Sequence, residues 1–135
     1  MSGRSSTRVE FEEHGHTVVY RRHRNGGGLV SPQATVAATA FVARDAWVEP
    51  GASVGAGSTV GAGAWIDVDA LVGTDVVVGR NVHVGARALV GDRAQLGNGV
   101  RLGKEARVEA KARIPEDETV APGETVTRAR YGIAA

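Results

Sequence analysis

The side chains of this sequence that can do chemistry are few and widely spaced. His83 is the sole histidine in the central part of the chain. An uncharged imidazole takes a proton from an attacking hydroxyl or amine, so general base is the role such a residue can fill. Arg101, Arg107 and Arg113 recur at six-residue intervals, and guanidinium groups suit an anion such as a phosphate. Trp47 and Trp65 stand eighteen residues apart and offer flat rings for stacking on each other, on a cation or on a sugar. His14 and His16 form a His-x-His pair, a spacing that can grip a metal but more often serves as polar turn residues. The chain has no cysteine, so disulfides and thiolate metal sites are excluded, and no metal centre is expected. No phosphate loop, nucleophile elbow or zinc-protease motif occurs.

These residues ride on a repeat. Every sixth residue from Val30 to Val126 is Val, Ile or Leu, 17 positions without a gap, out of only 29 such residues in the chain. Two residues before each aliphatic, from Ala34 to Ala112, only Ala, Ser or Val occurs. Small residue, outward residue, aliphatic residue is the alternation of a β-strand. Gly follows the aliphatic at 55, 61, 73, 79, 85, 91, 97 and 103. Three residues after the aliphatic come Asp45, Gly51, Gly57, Gly63, Asp69, Asp75, Asn81, Gly99, Asp117 and Gly123, types that tolerate the positive φ of a sharp turn. Each hexad is therefore one short strand and one turn, and three hexads close a triangular coil. The expected fold is all-β, a parallel β-helix of five to six coils over residues 29–127. Each coil buries its apolar face only against its neighbours. Composition agrees: 19 Gly and 4% aromatics suit many short strands joined by tight turns.

Residues 1–28 lie outside the register. Val9–Glu12 and Thr17–Tyr20 read as a β-hairpin joined through Glu13-His14-Gly15-His16, with Gly26-Gly27-Gly28 as a flexible joint, and the hairpin is expected to cap the first coil's open edge. At the other end Glu118 and Glu124 put charge in the small-residue position and end the core, and residues 128–135 form a short tail. The net charge of +1 argues against bulk capture of nucleic acid or membrane. The sequence has neither an apolar run of about 20 residues nor an apolar signal-peptide core at its start, so a cytoplasmic location is expected.

The residue before each aliphatic points outward, and an eighteen-residue coil stacks these residues in ladders. One runs Trp47, Trp65, His83, Arg101, and predicts direct stacking of the two indoles. Phe41, Trp47, Trp65, Leu71, Val77 and Leu89 make an apolar outer surface, the mark of a partner interface. Arg101, Arg107 and Arg113 fall one on each face.

This six-phased pattern resembles the hexapeptide-repeat superfamily, whose members form left-handed parallel β-helices. The resemblance covers about 97 of the 135 residues. The nearest rival is a bactofilin-like right-handed triangular β-helix, usually less strictly six-phased. The resemblance implies a homotrimer as precedent and a range of activities, among them acyl transfer and γ-class carbonic anhydrase chemistry. Sugar-acetyltransferase relatives place their basic histidine in a stretch similar to Gly79-Arg80-Asn81-Val82-His83-Val84-Gly85-Ala86-Arg87, where Arg87 occupies the histidine's position. An arginine stays protonated and cannot be the base. The hexads also run without an insertion to shape an acceptor pocket, and they hold too few histidines for a three-histidine zinc site. The expectation is therefore a non-catalytic assembly protein without cofactor: a β-helix prism that self-associates as a trimer or end to end. Arg21-Arg22-His23-Arg24 near one end and Glu116-Asp117-Glu118 with Glu124 near the other favour head-to-tail contact. The alternative is a reduced acyltransferase taking acyl-CoA, with His83 as base and the arginines on CoA phosphates between subunits. A weaker third reading is an anion- or glycan-binding module.

Overall fold

Residues 7–131 are described here in a computed structural model. Among them the secondary structure is entirely β. Strands β1 (Arg8–Glu13) and β2 (His16–Arg22) precede 17 two-residue strands spaced six residues apart, from β3 (Leu29–Val30) to β19 (Thr125–Val126). Every third strand pairs in parallel, so residues eighteen apart are register partners, as Trp47 is of Trp65 and Val78 of Leu96. Three parallel sheets result and wrap a single column. The architecture is a single-stranded parallel β-helix of between five and six coils, consistent with the left-handed form. Among the described residues no helix is long and apolar enough to cross a membrane.

The six-residue beat drives the packing. All aliphatics of the beat from Val42 to Val126 are buried, and the small residues from Ala40 to Ala112 line the tight corners with essentially no exposure. Ser58, the one polar residue in that set, is satisfied: its hydroxyl donates to the Gly73 carbonyl and accepts from the Val76 N–H. Backbone N–H groups of one coil donate to carbonyls of the next, as Trp47 to Ala64 and Glu49 to Ile66, so each coil is the template for its neighbour.

The corners take the left-handed backbone three residues after the aliphatic, from Gly51 to Gly123. Position, more than residue type, dictates this conformation. Arg87, Arg93, Glu105 and Lys111 adopt it at φ of 60°, 62°, 63° and 66°, although none favours it. Asp45, expected to adopt it, does not. Its Oδ1 instead accepts the Gly63 N–H, while the neighbouring Arg44 carbonyl accepts from Arg22 Nη1.

The N-terminal hairpin turns at His14-Gly15, both at positive φ, as a two-residue type I′ turn requires. Strand β2 then pairs antiparallel with β3 and so extends one sheet only. In a flat sheet β1 would lie about 14 Å from β6 (Trp47–Val48), three strand spacings away. Yet the Phe11 and Trp47 rings sit 5.3 Å apart, and Tyr20 meets Trp47 edge-on at 5.1 Å. The hairpin therefore curls over the outer face of its sheet, which explains why outward-facing Leu29 is buried. The glycine segment is packed and not the flexible joint expected. The Gly28 N–H donates to Val42 O and Val42 N–H to Asn25 O, and a Cβ at Gly28 would lie 2.2 Å from Val42 Cγ1.

At the other end, Glu124 turns inward on its own segment, accepting from the Ala121 N–H and from Arg130. These two contacts, the backbone one first, hold its carboxyl below the usual range. Glu124 is thus engaged within the chain, which removes one of the charges expected to drive head-to-tail contact. Tyr131 packs against the last coil.

Candidate active site

The hairpin-bearing sheet carries strands β6, β9 (Trp65–Ile66), β12 (His83–Val84) and β15 (Arg101–Leu102) in adjacent register. Its outer face holds the chemistry. His83 Nε2 lies 3.0 Å from Asp67 Oδ2, and its ring stacks on Trp65 with centroids 4.2 Å apart and planes 11° from parallel. Asp67 is itself fixed, since its Oδ1 accepts the N–H of Val68. A carboxylate only accepts, so Asp67 selects the tautomer with the proton on Nε2 and leaves the lone pair on Nδ1. A hydrogen-bonded network backs the stack: Trp65 Nε1 donates to Glu49 Oε2 at 2.8 Å, and the Tyr20 hydroxyl donates to Glu49 Oε1 at 2.7 Å. Burial first, then the bond to Glu49, raises the Tyr20 phenol well above its ordinary range.

Below the imidazole the residue after each aliphatic shrinks from Asp67 to Gly85 and Gly103. A Cβ at Gly85 would stand 2.5 Å from the Leu102 carbonyl oxygen, and one at Gly103 2.5 Å from Pro122 N. The glycines permit close stacking of coils, and a depression of about 340 Å³ opens there, lined by Asp67, His83, Arg101, Lys104 and Thr119 among others. The arrangement offers an oriented base beside two cations.

The sequence-predicted residues divide. Trp47, Trp65, His83 and Arg101 share this sheet, but Arg107 lies on the second and Arg113 on the third, so the three arginines do not converge within one chain. Trp47 and Trp65 are register partners, yet the expected indole stack does not form: Trp47 is taken by Phe11 and Tyr20, and Trp65 by His83. Trp47 is consequently half-buried, whereas Phe41, Trp65, Leu71, Val77 and Leu89 are exposed. Leu71 and Leu89 are neighbours on the second sheet, and Phe41 and Val77 lie on the third. Arg87 pairs with Glu105 at a corner, at 3.0 Å. His14 and His16 sit at the hairpin turn, and among the described residues no group of three or more metal-ligating side chains assembles.

Sequence reasoning missed Asp67, Glu49 and Tyr20. The first two carried a signal: in the phase after the aliphatic, glycine is the commonest residue, and on this face Glu49 and Asp67 replace it.

A sequence model of the family described as the hexapeptide repeat of succinyl-transferase matches residues 75–110, the stretch containing His83 and Arg101. No curated protein matches the chain. Among solved structures, the acetyltransferase domain of PglB from Neisseria gonorrhoeae, in complex with acetyl coenzyme A, is 24% identical with a TM-score of 0.47, and the match covers 73% of this chain and 53% of that one. PerB from Caulobacter crescentus, in complex with CoA and GDP-perosamine, is 25% identical with a TM-score of 0.45, over 72% and 50% of the two chains. A hexapeptide transferase family protein from Anaplasma phagocytophilum is 18% identical with a TM-score of 0.47, over 88% and 78%. The chain thus spans about half the length of the first two structures. The expectation of a non-catalytic assembly protein is overturned by the family match, since the matched repeat is a transferase's. Nothing supports the expectation that no cofactor is used.

Proposed function

We propose that this chain, a hexapeptide-repeat β-helix protein, transfers an acyl group from a coenzyme A thioester to an amine or hydroxyl acceptor, with His83 as general base. The observation that carries this reading is the 3.0 Å contact of His83 with Asp67 at the edge of a depression lined by Arg101 and Lys104. The depression presents cations to the donor's phosphates and an oriented lone pair to the acceptor, a combination that fits a polyanionic thioester.

The chemistry then follows from the tautomer. His83 Nδ1 takes the proton from the acceptor's N–H or O–H as that atom attacks the thioester carbonyl carbon. Asp67, holding Nε2–H, stabilises the imidazolium that forms. The tetrahedral intermediate collapses by breaking the carbon–sulfur bond, and the proton passes from Nδ1 to the departing thiolate, restoring the neutral base. Arg87 has no role as a base. Lone-base catalysis of this kind contributes about 10²- to 10⁴-fold.

The exposed apolar residues on the second and third sheets, Leu71 and Leu89 with Phe41 and Val77, support a homo-oligomer, with a trimer as the arrangement the family resemblance implies. In such an assembly a neighbour's Arg107 or Arg113 joins the donor site, which one chain cannot arrange alone.

Binding is tested by thermal unfolding with acetyl-CoA. A ligand at 100 times its Kd stabilises by about 2.7 kcal/mol, so millimolar acetyl-CoA raises the melting temperature of the wild type and much less that of Arg101→Ala with Lys104→Ala. The absence of any wild-type shift would refute the reading.

A further inference from the structure

A second recess lies on the side of Trp65 toward Trp47. The register places these two residues at one strand spacing, yet each ring has turned to another partner. The space they would have filled is a recess of about 340 Å³ lined by Glu13, Tyr20, Trp47, Glu49 and Trp65. Three of its five residues are aromatic and two are carboxylates, and no lysine or arginine is among them. The hairpin supplies Glu13 and Tyr20, and the β-helix supplies the rest.

We propose that this recess binds an organic ammonium ion, a quaternary or alkylated amine head group, between the two indoles. The face of an indole or phenol attracts a positive charge through the ring quadrupole, most strongly where water is excluded. Alkyl groups on the nitrogen meet the aromatic walls favourably, whereas a small inorganic cation keeps its own water. Glu49 contributes charge and rigidity together, since its two oxygens fix the Tyr20 hydroxyl and the Trp65 indole N–H. That bond, with burial, keeps Tyr20 a neutral phenol, and its ring is already locked edge-on against Trp47. The carboxylates exclude anions, including the phosphates that suit the depression beyond His83. The ammonium site is therefore separate from the proposed acyl-transfer site, with Trp65 as the wall between them, and it does not depend on that reading.

The chain's two tryptophans both line this recess, so intrinsic fluorescence reports on it. The probe is choline chloride, titrated at constant ionic strength against sodium chloride, with 3,3-dimethylbutan-1-ol as the uncharged isostere. The expected result is a saturable change with choline, in the millimolar range, and none with the alcohol. Glu13→Gln raises the half-saturation concentration by about threefold or more, as loss of a charge at the rim predicts. Trp65→Phe keeps an aromatic wall and keeps saturation, read by Trp47, while Trp65→Ala loses it. A non-saturating change common to choline and the alcohol, or unaltered choline binding in both Glu13→Gln and Trp65→Ala, overturns the proposal. Since no acetyl-CoA is present, either outcome leaves the acyl-transfer reading to its own test.

Discussion

Arg87, Arg93, Glu105 and Lys111 carry Cβ atoms into backbone geometry that glycine adopts freely. The cost for an L-residue is about 1 kcal/mol, and stacking of each coil on the next enforces it. Lys111 is exposed, and Asn tolerates this conformation, so Lys111→Asn should raise stability in urea unfolding by about 0.5–1 kcal/mol. An unchanged or lower midpoint would show that the strain is not felt. Tyr20 acts in the opposite sense, as a buried group whose phenol is held protonated by burial and by Glu49. In the unfolded chain it ionises near 10, while the folded chain keeps its proton to higher pH. Above that point the folded state binds more protons than the unfolded one, so stability falls as pH rises. Melting temperatures from pH 9 to 11 should fall more steeply for the wild type than for Tyr20→Phe, and parallel curves would remove Tyr20 from the account. At this scale the sequence was only partly legible. His83 stood out as a lone imidazole, but its partner lies 16 residues earlier, one coil away and two positions out of phase. Asp67 could have been found by asking which residues break the glycine pattern on the histidine's face.

The strands themselves were the most legible elements, because the aliphatic beat and the burial pattern have the same period. The hairpin's strands also fell within a few residues of their observed limits. Its docking did not follow from local pattern, since it depends on Phe11 and Tyr20 reaching Trp47 across strands distant in sequence. The same contacts explain why the indole ladder failed. The glycine segment was misjudged for a related reason: three consecutive glycines suit a flexible linker, but they also suit a backbone that must pass where no Cβ fits. Gly28→Ala should push against Val42 and Ala43 and loosen the hairpin while the later coils hold. Limited proteolysis would then cut within residues 8–28 and leave the β-helix resistant. Cleavage no faster than in the wild type would contradict the packed role assigned to this segment.

At the scale of the whole molecule, three sheets around one apolar column make a rigid prism whose outer faces are free to differ. One face joins an imidazole, a carboxylate and two cations around a depression, and the hairpin folds over the same face. The other two present arginines and exposed aliphatics. The absence of an insertion among the hexads suggested a surface without a pocket. The structure makes concavity another way, by replacing an acid with glycine in successive coils and by curling a hairpin over a sheet.

Thiol release from acetyl-CoA, followed across a panel of amine and hydroxyl acceptors, tests the assignment of His83 most directly. With His83 as the base, release by the wild type depends on the acceptor, falls by about 10²-fold or more in His83→Asn, and falls less in Asp67→Asn. Release that proceeds at the wild-type rate in His83→Asn, or none with any acceptor, would contradict it.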